Sequence, residues 1–309
     1  MKIALDLTKL LEEGKITREE HDKLLGLGKA GTTSLAFNIL IAFGVVAVAT
    51  GVIALVPSAL VGVIIGGLIL AAGLAIYFGK LTQWDVLGNI FVLVGALILG
   101  GGVVVLTDAS IMGFLVIAAG FAIAGVVAQS GLLVGLSVMA LASSLGSRTG
   151  YEHASYFLGI EQPAATVLLF SVLAICGYMI SKQLPHAYER LALIAARVSV
   201  LLVNFGFWIG SLWGSETLGT DFVINDVSFT IGWVVVLVGS IIWAVYANRQ
   251  WVVNVMAVFA AIHFYTQWFE RLGPEPVAIL LAGILALAFA IGLWQFNKIW
   301  IARGTPAKA

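Results

Sequence analysis

Ten apolar stretches run through this chain, at about 35–56, 58–78, 86–106, 110–128, 131–147, 164–181, 190–213, 228–247, 250–269 and 276–297. Each is near the roughly 17–25 residues a helix needs to cross a bilayer. A backbone in hydrocarbon must satisfy its own hydrogen bonds, which leaves helices or a closed barrel. These runs are too long for barrel strands and do not alternate apolar with polar. The rest of the composition agrees: of 309 residues 61% are hydrophobic and 10% charged, with a mean hydropathy of +1.07. A soluble domain carries about a quarter charged residues, so a soluble enzyme, a secreted disulfide scaffold and a disordered chain are excluded. Sixteen Lys and Arg against 16 Asp and Glu leave no basic excess for nucleic acid. The only cysteine, Cys176, lies in an apolar run, so no disulfide framework exists and an inert core thiol is expected.

Turn and charged residues punctuate the stretches at Pro57, Lys80 to Asp85, Thr107-Asp108, Gln129-Ser130, Lys182 to Pro185, Asn248-Arg249 and Gly273 to Pro276. The fifth stretch is the weakest, being short and ending in Ser143, Ser144 and Ser147. With ten spans and a cytoplasmic N-terminus, 13 Lys and Arg fall inside and only Arg148 and Arg271 outside. Removing the fifth span turns this into 9 against 6. The positive-inside rule therefore selects ten spans with both termini cytoplasmic. Tryptophans cluster near the proposed span ends, where indole rings prefer to sit. The charged first 30 residues and the long first apolar run predict a retained anchor rather than a cleaved signal.

Composition shifts near residue 150. Of 35 glycines 23 precede it, and eight of nine tryptophans follow it. Gly62-x-x-x-Gly66, Gly131-x-x-x-Gly135 and Gly206-x-x-x-Gly210-x-x-x-Gly214 let helix backbones approach closely, within the chain or between two copies. The expected fold is all-α, a polytopic transmembrane helix bundle. Five spans on each side of residue 150 allow two inverted five-helix halves, a common transporter plan. In layout alone the chain resembles the drug/metabolite transporter superfamily.

The N-terminal segment is the most specific local signal. Leu5, Leu7, Leu10 and Leu11 make an apolar stripe, and Gly14 after Glu12-Glu13 reads as a left-handed helix cap. Thr17 and Glu20 have the spacing of a capping box. Leu24, Leu25 and Leu27 then line a second short helix. The pattern from Leu11 through Gly14, Ile16, Thr17 and Glu20, L-x-x-G-x-I-T-x-E-E, resembles the short C-terminal oligomerisation domain, here placed N-terminally. It also resembles a family of bacterial multi-span membrane proteins of unknown function that open with such a hairpin. The resemblance implies a bacterial cytoplasmic (inner) membrane protein whose hairpin, through Leu10, Leu11, Gly14, Ile16, Thr17 and Glu20, packs on its own loops, forms homo-oligomers or binds a cytoplasmic protein. The domain organisation expected is a hairpin at 1–30, spans at 31–150 and 151–300, and a tail at 301–309.

Polar groups at membrane depth are costly and mark candidate sites. Arg197 lies within the seventh span, with Asn204 seven residues on and Trp208 one turn further; Asn254 and His263 occupy the ninth. These five are the candidate substrate-binding residues. Arg197 either snorkels to the headgroups or lines a polar cavity, Asn204 and Asn254 can equally be interhelical glue, and His263 is a packing histidine or a proton carrier. Asn38 and Asn89 sit near the inner boundary. No Asp or Glu lies deep in a span, which disfavours cation coupling and favours a facilitator or a binder of anions or zwitterions. Glu152, His153 and Glu161 match no metal spacing, and Tyr151, Tyr156, Phe157 and Ile160 beside them read as a short interfacial segment. Glu216, Asp221 and Asp226 make the loop after the seventh span acidic. No HExxH, GxSxG, P-loop or paired-cysteine motif occurs, so no enzyme, cofactor or metal is expected. The function expected is a transporter or facilitator of a small anionic, zwitterionic or lipid-like solute, with a membrane scaffold or sensor as the alternative.

Overall fold

The computed structural model describes residues 10–11, 14–21, 40–41, 43–52, 54–55, 57–79, 84–152, 155–216, 223–273 and 275–304. Leu5, Leu7, Glu12, Glu13, Leu24, Leu25, Leu27, Asn38, His153 and Asp221 lie outside the described residues. In chain order the apolar helices are α1 (Phe43–Val52), α2 (Ala59–Phe78), α3 (Asp85–Leu106), α4 (Ile111–Val127), α5 (Gly131–Ser144), α6 (Pro163–Ser181), α7 (His186–Trp213), α8 (Asp226–Tyr246), α9 (Gln250–Leu272) and α10 (Pro276–Gly304). Each expected stretch holds one of them. Seven, α2, α3 and α6 to α10, are long and apolar enough to cross a membrane, while α1, α4 and α5 are shorter. Leu68, Leu168, Ile231 and Leu280 are exposed along them, and apolar surface on this scale belongs in lipid. The chain is a multi-pass helical membrane protein.

Among the described residues two short strand pairs interrupt an otherwise helical fold. The fifth apolar helix stops at Ser144, where the Ser143 and Ser144 hydroxyls donate to the Met139 and Leu141 carbonyls (3.2 and 2.7 Å). Such back-bonding weakens a helix end. The segment expected at the interface is a hairpin, β1 (Ser147–Glu152) antiparallel to β2 (Ser155–Ile160), with Ser147 opposite Ile160. Thr149, Tyr151, Tyr156, Phe157 and Ile160 are β-branched or aromatic and favour extended backbone. The second pair, β3 (Ser215–Glu216) with β4 (Val223–Ile224), follows α7.

The chain divides into two compact units. One comprises Met1–Ser144 with Leu184–Ile194, the other Leu145–Gln183 with Ala195–Ala309. In the first, α2 and α3 meet backbone to backbone. A Cβ on Gly73 would lie 2.6 Å from the Val92 nitrogen and one on Gly102 2.9 Å from the Val63 nitrogen; on Gly66 and Gly95 it would run into the Leu99 and Leu70 nitrogens. The Gly62-x-x-x-Gly66 face thus packs within the chain. Ile117, Phe121 and Leu133 of α4 and α5 build the adjoining core with Val92 and Ala96. In the second unit Gly206 receives Val167 of α6 and Gly210 receives the Phe229 ring of α8.

Cys176 departs from the expected core position: it is exposed on α6, as are Val172, Ile175 and Met179. In a protein solvated by lipid an apolar neighbourhood does not imply the interior.

Candidate functional site

The second unit ties its helices together through one buried amide. Asn204 on α7 is fully buried; its Oδ1 accepts from Trp233 Nε1 of α8 at 3.0 Å, and its Nδ2 donates to the Val200 carbonyl at 2.8 Å and faces Met256 Sδ of α9 at 3.9 Å. The Trp233 indole, also fully buried, meets the His263 ring edge-on at 4.8 Å. One helical turn beyond Asn204, Trp208 Nε1 donates to Thr266 Oγ1 at 2.9 Å. Asn204 and Trp208 of α7 therefore face α9, and Trp233 of α8 links Asn204 to His263. Arg197 does not join them. It is exposed, with its guanidinium 5.2 Å from the Trp251 ring centroid. Asn254 Oδ1 and His263 Nδ1 are buried atoms without a hydrogen-bond partner among the described residues.

The N-terminal segment shows both of its local signals. Gly14 has φ +67°, the Lys15 amide donates to the Leu10 carbonyl (2.9 Å) and the Gly14 amide to Leu11 (3.1 Å), a Schellman-type helix end. The Thr17 amide donates to Glu20 Oε2 at 2.8 Å, and the Glu20 amide donates to Thr17 Oγ1 at 3.2 Å. The Thr17 hydroxyl also donates to Glu20 Oε2 at 3.0 Å, and the bonds that Oε2 accepts from the Thr17 amide and then from this hydroxyl hold the Glu20 carboxyl below its ordinary pKa. Ile16 is half-buried beside them. In the loop after α5, Glu161 pairs with Arg148 at 2.8 Å.

The first unit contains a cleft of about 660 Å³, formed by the ends of α2 and α4 and the starts of α3 and α7. Tyr77, Asp85, Asn89, Val92, Gln129 and Arg190 are on its walls. Asp85 opens α3, where the helix dipole favours a carboxylate. Asn89 Nδ2 reaches back to the Asp85 carbonyl at 2.8 Å. Gln129 takes a left-handed conformation (φ +50°) as the chain turns out of α4, and its carbonyl accepts from Arg190 Nη2 at 3.1 Å. Neither Asp85 nor Arg190 has an ion-pair partner among the described residues. A guanidinium and a carboxylate, neither ion-paired among the described residues, thus border one cleft with two amides and an aromatic ring.

Of these residues only Asn89 stood out in the sequence, because Asp85 and Gln129 read as punctuation between spans and Arg190 as one of the 13 cytoplasmic Lys and Arg. The available signal was that all three loops fall on the same side in the alternating count of spans. No protein-family model, curated protein or solved structure matches this chain.

Proposed function

We propose that this chain is a bacterial inner-membrane protein of ten spans, with both termini cytoplasmic, that carries or facilitates passage of a small zwitterionic solute. The observation behind this reading is the cleft in the first unit, with Asp85 and Arg190 on its walls and no ion-pair partner for either among the described residues. Its volume is within the roughly 300–1,000 Å³ of small-molecule sites. A guanidinium grips a carboxylate or phosphate in fork geometry, and Asp85 supplies the counter-charge for an ammonium. Asn89 and Gln129 add polar contacts, and Tyr77 and Val92 an apolar wall. The absence of Asp or Glu deep in the apolar stretches favours a facilitator over a cation-driven pump. In the second unit, His263 Nδ1 and Asn254 Oδ1, without a hydrogen-bond partner among the described residues, are the polar atoms left for a solute, whereas Asn204 and Trp208 are engaged with Trp233 and Thr266 and Arg197 stands apart over Trp251.

Thermal stability of the purified protein tests this reading, because a ligand that binds the native state raises the melting temperature by mass action. Amino acids and phosphoethanolamine should stabilise it more than the matching simple anions or amines. Asp85→Asn should abolish the preference for zwitterions over anions, and Arg190→Gln should abolish both responses. A ligand response identical in wild type and both variants would remove the cleft as the site.

A scaffold reading has its own support in the built caps around Gly14, Thr17 and Glu20. Under it, deleting residues 1–28 changes oligomeric state or loses a cytoplasmic partner while the membrane helices stay folded. Unchanged assembly and partners would leave the segment a packing role only.

A further inference from the structure

A second set of charges stands apart from the cleft. At the end of α6 the Lys182 ammonium lies 4.6 Å from the centroid of the Tyr178 ring, and the Arg249 guanidinium, at the start of α9, lies 5.3 Å from the same centroid. Trp243 of α8 packs edge-on against that ring at 5.6 Å. The two cations are therefore within about 10 Å of each other, a separation that a Debye length of about 8–10 Å leaves only partly screened. Among the described residues no carboxylate pairs with either. The ring quadrupole attracts each cation but does not neutralise the pair. An anion shared between them would.

The surroundings indicate which anion. Tyr178 and Trp243 are the amphipathic aromatics that settle at headgroup depth. Ile175, Met179 and Ile242, on the same two helices, are exposed, offering apolar surface for acyl chains. Arg197 of α7, 5.2 Å from the ring centroid of Trp251, which follows Arg249 by two residues, is a third cation without an ion-pair partner among the described residues. We propose that Lys182 and Arg249, gathered on Tyr178, form a headgroup site for an anionic glycerophospholipid, the phosphate between the cations and the acyl chains along α6 and α8. Basic pockets between membrane helices bind such headgroups. The site is independent of the solute cleft, which lies in the other unit and uses other residues.

The test uses the purified full chain, titrated with short-chain phosphatidylglycerol, short-chain phosphatidylcholine or inorganic phosphate. Melting temperature and retained lipid, counted by native mass measurement, are the readouts. Phosphatidylglycerol should stabilise the protein and be retained in preference to phosphatidylcholine, while inorganic phosphate should do neither. Lys182→Gln and Arg249→Gln should each weaken the phosphatidylglycerol response roughly fivefold. Both side chains are exposed, so the variants should keep the fold, and lipid retention by the wild type is a reading that needs no variant. Lys298→Gln removes a lone cation over Trp294 (5.4 Å) and should leave the response intact. Equal responses to the two lipids overturn the proposal, as does a loss in Lys298→Gln matching that in Arg249→Gln, which would mean general surface charge. Stabilisation by inorganic phosphate equal to that by phosphatidylglycerol would make it a free-phosphate site and likewise overturn it.

Discussion

Asn204 was visible in the sequence as a costly polar residue, but its partner was not. Trp233, 29 positions away, looked like one more interfacial indole. The contact sets the consequence of mutation. Asn204→Leu leaves the Trp233 N–H buried without an acceptor and should lower stability by about 1–2 kcal/mol. Adding Trp233→Phe should recover part of that loss; thermal melting of the single and double variants reads both. The Thr17–Glu20 box, by contrast, was legible because its groups are three residues apart and its geometry is set by one helical turn. Its pH response follows in sign. A carboxyl held below its ordinary pKa contributes stability that is complete above that ordinary value and lost as pH falls through the lowered one. Local helicity near Thr17 should therefore fade only in acid, and Thr17→Ala, costing about 1 kcal/mol, should flatten that dependence when followed by residue-resolved amide exchange.

Where helices pack, glycine placement does the organising. Gly88, Gly95 and Gly102 recur every seven residues along α3 and keep one face, because seven residues fall only about 20° short of two full turns. That face meets Gly62, Gly66 and Gly73 of α2. The sequence reading found Gly62 and Gly66 but missed the heptad opposite, since no motif of spacing four marks it. Gly95→Val should force the two backbones apart and cost about 1–3 kcal/mol by overpacking. Gly101→Ala, with nothing within 4 Å of the new methyl, should be neutral or stabilising by up to about 1 kcal/mol through helix propensity. Melting temperatures of the two variants in one detergent check the contrast. The β1–β2 pair was not legible for a different reason: its two six-residue strands, SRTGYE and SYFLGI, mix aromatic, small and charged side chains and form no long apolar run.

For the molecule as a whole, the proposed topology makes a direct prediction. Reporter fusions after residues 85, 186 and 249 and at the C-terminus should read cytoplasmic, and those after 108, 155, 220 and 273 external, from the cation asymmetry of the loops. A C-terminus reporting outside would remove the ten-span arrangement and point to α5, the shorter helix that ends in serines. The membrane class, the places of the apolar helices and the caps around Gly14 and Thr17 could all be read along the chain, because each depends on neighbours within a turn or on the length of an apolar run. Which face of each helix turns inward could not. In a lipid solvent both faces are apolar, so hydrophobic periodicity carries no direction, and Cys176 could be taken for a core thiol although it points outward. Contacts between distant residues settled the rest: α2 against α3 through glycine, Asn204 with Trp233, and Asp85 with Arg190 on one cleft although 105 positions separate them in the chain.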